Sequence, residues 1–263
     1  MQGTKRVRKG VRLATIVLLY LVVALVFARK PGNAYGADDG LGKKVYESRC
    51  AICHSSKGDG NGAIGIVEKG EVGNKMWAVY PRDLTTGTFK FRSTATGCMP
   101  TDGDMKSVVK NGIMRAGMPS HYDVSQKEVD AVVAYLKTFS SRWTDEQPCK
   151  PIKVKKPAYV GSPDSIAKGE KVYNDMKCWE CHGKEGKGDG PKSAEIKDDQ
   201  GKPILPFNFT TGALKRGSTP ENVYATFTTG LDGTGMPSYE DSLKEDQRWN
   251  LVSYTLKLMK KTK

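Results

Sequence analysis

Apolar positions fall into two regimes along this chain. From Leu13 to Ala28 the residues carry no charge and almost no polarity, and Lys5, Arg6, Arg8, Lys9 and Arg12 stand before them. A basic flank followed by an unbroken apolar run fits a secretory signal or a single membrane anchor, and its length falls between the two. Candidate cleavage points follow Ala28 and Gly36. On either reading the remainder is expected outside the cytoplasm. Further on, the apolar residues become periodic. Val129, Val132, Val133 and Leu136 recur at helical spacing after Ser125 and Glu128, and Trp249, Val252, Leu256 and Met259 do so after Ser242 and Glu245. Each spacing predicts an amphipathic helix, and each Ser–Glu pair is a candidate capping box.

The two periodic helices close two copies of one pattern. Gly42-Lys43-Lys44-Val45-Tyr46 is matched by Gly169-Glu170-Lys171-Val172-Tyr173, and Cys50-Ala51-Ile52-Cys53-His54 by Cys178-Trp179-Glu180-Cys181-His182. Gly-Asp-Gly turns follow at 58–60 and 188–190. Pro81 to Gly87 then matches Pro206 to Gly212, Lys90, Ser93 and Thr94 match Lys215, Ser218 and Thr219, and Gly117-Met118-Pro119-Ser120 matches Gly235-Met236-Pro237-Ser238. The Gly and Tyr before each cysteine pair predict an opening helix whose glycine permits close packing on the closing one. The division is 1–37 for the signal or anchor, 38–145 for the first repeat, 146–162 for a Pro/Lys-rich linker and 163–263 for the second. The linker reads as extended, with a strap packed on one repeat as the alternative. The first repeat has seven extra residues, about 95–101, including Cys98.

Charge changes the picture little. The formal net charge is +13, but residues 1–30 hold seven of the 42 basic residues and no acidic one, which leaves +6 for the rest. A modestly basic surface steers toward an acidic protein partner. No basic-aromatic platform or recognition motif points to nucleic acid.

The cysteines carry the chemistry. Cys-x-x-Cys-His is a haem-attachment sequence: two thiols on a short helical turn reach the two vinyl groups, and the adjacent histidine projects onto the iron. A zinc ribbon needs its two pairs roughly 15 to 20 residues apart, whereas 124 residues separate these. A thioredoxin-like pair needs a βαβ context, which the pattern lacks. The expected cofactor is two covalently bound haems c on Cys50, Cys53, Cys178 and Cys181, with His54 and His182 as iron ligands. The opposite ligand is expected to be methionine, a familiar partner of histidine in cytochromes c that raises the potential. The repeat selects Met118 and Met236, and the following proline stiffens each loop. His121, three residues past Met118, is the rival in the first repeat, and a surface histidine is its other reading. Cys98 and Cys149 remain, either for a disulfide in an oxidising compartment or as two free thiols. Asp59 and Asp189 read as turn formers, and no catalytic base or nucleophile stands out.

Both halves resemble class I cytochrome c domains over roughly residues 40–263. The block from Pro81 to Thr94, with Met118-Pro119 after it, is also similar to dihaem cytochromes that accompany respiratory membrane complexes and molybdenum oxidoreductases. The resemblance implies an all-α fold: two tandem cytochrome c-like domains, each of three to five helices, after one N-terminal apolar helix. It implies an electron carrier in a respiratory chain, in the periplasm or at the outer face of the cytoplasmic membrane, with redox proteins or membrane oxidoreductase subunits as partners. A cytochrome c subunit of a membrane oxidoreductase or oxidase complex is one alternative; a dihaem peroxidase is the enzymatic one, and it needs one iron with an open position, which a Met-Pro element in both repeats argues against.

Overall fold

In the computed structural model the described residues are 40–259, apart from 67, 73, 74 and 148, with backbone alone for 68–77 and Met114. The apolar stretch 13–28 lies outside them. Among the described residues no helix is long and apolar enough to cross a membrane.

Each repeat is organised by its opening and closing helices. In the first, α1 (Leu41–Arg49) leads into the single turn α2 (Ala51–His54), α3 (Asp102–Asn111) follows, and α4 (Gln126–Lys137) closes the unit before the short α5 (Arg142–Asp145). Val45 and Tyr46 of α1 pack with Val129, Val132, Val133 and Leu136 of α4 in one core. In the second, α6 (Pro163–Asp175), the single turn α7 (Trp179–His182), α8 (Pro220–Thr229) and α9 (Glu245–Leu258) repeat the plan. Trp249, Leu251, Val252 and Leu256 of α9 join Val172 and Tyr173 of α6 in a separate core. Burying each such side chain contributes roughly 1.5–3 kcal/mol.

Local chemistry starts these helices where the sequence indicates, with one exception. Ser125 accepts from the Glu128 N–H while the Glu128 carboxylate accepts from the Ser125 N–H, the reciprocal box expected of the pair. In the second repeat the helix begins two residues later than Ser242 and Glu245 predict. Leu243 is drawn into the core, so the chain turns at Lys244, whose N–H donates to Gln247 Oε1 at 2.9 Å. The expected close packing is present: a Cβ on Gly169 would collide with the carbonyl of Asn250, so α6 lies directly on the backbone of α9.

The all-α expectation holds for the two repeats with one addition. An antiparallel hairpin of β1 (Glu68–Val72) and β2 (Lys75–Val79) pairs Glu68 with Val79 and Gly70 with Trp77. Its first strand, Glu-Lys-Gly-Glu-Val, has no apolar alternation to announce it.

The segment between the repeats is a strap rather than a free linker. Ile152 N–H donates to the Ser93 carbonyl at 2.7 Å, and Val154 and Val160 pack against the second core. Cys149 is bonded to Cys98, with their Cα atoms 6.0 Å apart, which decides between the two readings of the leftover cysteines. The repeats also touch directly. Arg82 forms a two-pronged ion pair with Asp199 at 2.9 and 2.6 Å, against Gly233, where a Cβ would strike the guanidinium. Arg115 donates to the Thr211 hydroxyl at 3.0 Å and lies over the Phe207 ring.

Candidate functional site

The two cysteine motifs share one local geometry. In each, the histidine N–H donates to the carbonyl of the first cysteine at 2.9 Å, from His54 to Cys50 and from His182 to Cys178. One helical turn therefore brings the two thiols, three residues apart, onto neighbouring positions with the histidine beside them. The tyrosine that precedes each motif locks its exit. Tyr46 Oη donates to the Ser55 carbonyl at 2.7 Å and Tyr173 Oη to the Gly183 carbonyl at 2.6 Å, in both cases the residue just after the histidine. Burial pushes both phenols above their usual range, so each stays protonated and donates.

A second repeated bond orients the imidazoles. His54 Nδ1 lies 2.9 Å from the Arg82 carbonyl and His182 Nδ1 lies 3.2 Å from that of Phe207. Arg82 and Phe207 occupy matching positions in the Pro81–Gly87 and Pro206–Gly212 blocks, which explains why those blocks recur. A carbonyl can only accept, so Nδ1 carries the proton and Nε2 keeps its lone pair for a metal. Burial lowers both imidazole pKa values, against the opposing effect of these bonds, so both rings are neutral at pH 7.

The glycines after each motif hold the carbonyl-bearing block close, and their register differs from that expected. Gly60 N–H donates to His54 O and Gly188 N–H to His182 O. A Cβ on Gly60 or Gly188 would meet the carbonyl of Pro81 or Pro206 at 2.7 Å. The equivalent glycines are therefore 58, 60 and 62 against 186, 188 and 190. Asp59 and Asp189 are not counterparts, although Asp59 does form its turn by accepting from Ser55 Oγ and Asn61 N–H.

In the second repeat these groups open into a cavity of about 710 Å³. Cys178, Cys181, His182 and Met236 all line it, so the structure brings together every residue singled out there. Phe209 stacks on His182 with ring centroids 4.6 Å apart. Arg82, Lys90 and Arg115 of the first repeat line the same cavity with Lys215 and Arg216 of the second. Nothing in the residue pattern indicates that the two repeats share this wall; only the recurrence of Lys90 and Lys215 marks two of its cations. In the first repeat, Met118 closes a tight loop in which Ile113 N–H donates to the Met118 carbonyl at 2.9 Å. Leu231 N–H and the Met236 carbonyl form the same bond at 3.0 Å. His121 is buried rather than on the surface, with 9% of its area exposed.

None of the four motif cysteines is tied up in a disulfide. Burial, the largest cause, pushes the Cys50 and Cys178 thiols up to about 11. Among the described residues no three His, Cys, Asp or Glu side chains gather as metal ligands.

The family model for cytochrome c matches residues 40–140 and again 166–258. The chain belongs to the cytochrome c family. A solved chain from the Kuenenia stuttgartiensis reducing HAO-like protein complex Kustc0457/Kustc0458 is 37% identical, with a TM-score of 0.78 over 85% of this chain and 97% of that one. No curated protein sequence matches. Membership of the cytochrome c family implies covalent haem c, and the residues present fit it: cysteine pairs not joined in disulfides, neutral imidazoles with Nε2 available and, in the second repeat, an apolar cavity ringed by cations that suits a group with an apolar face and anionic carboxylates.

Proposed function

We propose that this cytochrome carries electrons outside the cytoplasm through two haems c, one per repeat. Cys50 and Cys53 hold the first and Cys178 and Cys181 the second. His54 and His182 would ligate the iron, with Met118 and Met236 as the second ligands. The observation that carries this reading is the doubled Nδ1–carbonyl bond, which prepares both histidines identically as ligands. When bound, haem iron supplies one-electron transfer between two oxidation states. The chain's residues do the rest. The thiols fix the group covalently, the carbonyls of Arg82 and Phe207 hold the imidazoles in register, and the apolar cores exclude water from them. The cavity cations Arg82, Lys90, Arg115, Lys215 and Arg216 would offset the charge of the group's carboxylates.

The likeness to a chain of a protein complex supports a role in passing electrons to or from a partner redox subunit. The basic flank and apolar run of the N-terminus support export, with the partner met at the outer face of the cytoplasmic membrane or in the periplasm. The test is a visible spectrum of the purified protein with a pyridine haemochrome count. Two haems c per chain and a near-infrared methionine–iron band are expected. One haem, or high-spin iron that turns over peroxide steadily, refutes the carrier reading.

A further inference from the structure

The loop that carries Met236 is closed on itself. Leu231 N–H donates to the Met236 carbonyl, Thr234 N–H to the Leu231 carbonyl at 3.1 Å, and Met236 N–H to Thr234 Oγ1 at 3.1 Å. Such a turn moves as one body. Its one long-range side-chain attachment among the described hydrogen bonds is Asp232, and every donor to that carboxylate comes from the other repeat. Arg92 Nη2 donates to Oδ1 at 2.7 Å, Thr96 Oγ1 to Oδ1 at 2.8 Å and the Gly97 N–H to Oδ2 at 2.9 Å.

These donors are themselves fixed. Arg92 has 0% of its area exposed and also donates to the carbonyl of Thr229, just ahead of the loop, at 2.7 Å. Its remaining nitrogens bond the carbonyls of Phe89 and Ala95, and its own carbonyl accepts from Arg216. Thr96 and Gly97 belong to the extra segment of the first repeat and immediately precede Cys98, which is bonded to Cys149. The repeat register puts Met114 at the position equivalent to Asp232, and methionine has no carboxylate to be gripped. The clamp therefore exists in one direction only.

We propose that Asp232 is a positioning residue for Met236, held in place by the disulfide-closed loop of the first repeat. This rests on the reading of Met236 as an iron ligand. A thioether is a weak ligand, and its occupancy depends on how well the loop presents it. Three hydrogen bonds to one carboxylate, one of them from a buried guanidinium, restrict that presentation. The insertion and the disulfide thus serve the haem of the opposite repeat rather than their own.

The test uses the full holoprotein as Asp232→Asn, Thr96→Val and the paired Cys98→Ser/Cys149→Ser, each checked for two haems. Asp232→Asn is expected to weaken the methionine–iron bond of the reduced second haem about tenfold, which lowers that haem's potential by about 59 mV. It should also diminish the near-infrared band and let carbon monoxide bind the second haem faster, with the first haem's potential unchanged as internal control. Thr96→Val and the cysteine pair should move the same readouts in the same direction by less, and they serve if Asp232→Asn does not fold. Two-haem variants whose potentials, band and carbon monoxide kinetics all match the parent protein overturn the proposal. A parent protein with two haems and no methionine–iron band at the second overturns the ligand assignment itself.

Discussion

Replacing Tyr173 by phenylalanine isolates one hydroxyl and leaves the packing of its ring intact. Tyr173 is 2% exposed and its hydroxyl bonds the carbonyl of Gly183, itself buried. That carbonyl also accepts from Gly186 N–H at 3.2 Å, so it keeps one partner when the hydroxyl is lost. The full penalty of an orphaned buried group, up to about 3 kcal/mol, therefore does not apply. What is lost is a short bond in dry surroundings, at the upper end of the net range, about 1.5 kcal/mol. Tyr46 makes the matching bond to Ser55, which is only half-buried, so water replaces the hydroxyl and the cost of Tyr46→Phe falls to about 0.5–1 kcal/mol. For a chain of this size about 1.5 kcal/mol lowers the melting temperature by about 3–6 °C. Urea titrations of the holoprotein followed by far-UV circular dichroism give both values, and the double variant should show their sum to within about 0.5 kcal/mol because the sites share no partner. A Tyr173→Phe protein within about 0.5 kcal/mol of the parent, or a Tyr46→Phe protein hurt more than it, refutes the idea that burial of the acceptor sets the strength of these clamps.

Two further outcomes follow from the helices. Gly169→Ala should destabilise by about 2 kcal/mol in the same titration, because the new methyl drives α6 off the Asn250 carbonyl; at an exposed helix position that change stabilises by about 1 kcal/mol, so a gain would show that the helices are not in backbone contact. The Glu128 carboxyl is held below its usual 4.5 by hydrogen bonds from the Ser125 side chain and backbone. Its charged form thus adds stability that is present above pH 4.5 and lost as pH falls through the depressed value. Glu128→Gln should be less stable than the parent at pH 7, and urea titrations between pH 7 and pH 3 should show the gap closing; a constant gap counts against the charged cap.

The sequence was most legible where the repeat forced one residue type into two places. The Cys-x-x-Cys-His turns and the closing helices follow from patterns with a single physical solution, whereas the bond between Cys98 and Cys149 was one of two readings and the structure decided it. Legibility failed where backbone did the work. The acceptors for His54 and His182 are carbonyls, which no side-chain pattern encodes, so the blocks at Pro81 and Pro206 were visible as repeats without their purpose. The glycine register slipped by two because the Gly-Asp-Gly spelling outweighed the spacing from each histidine, and that spacing is what the Gly60 and Gly188 bonds conserve. The hairpin at 68–79 and the buried Arg92 depend on tertiary neighbours distant in the chain.

The contact between the repeats has a property that neither repeat has alone. Arg82 meets Gly233, while Phe207, which stands where Arg82 stands in its own half, meets Arg115, the counterpart of Gly233. Matching positions facing one another is the pattern of a twofold dimer, here written within one chain. In a dimer of identical subunits each position occurs twice, and an arginine suited to one contact would be imposed on the other, where glycine is required. Covalent fusion removes that constraint. One contact has become an ion pair over a glycine and the other a cation over a ring, and a mutation in either half is now felt once.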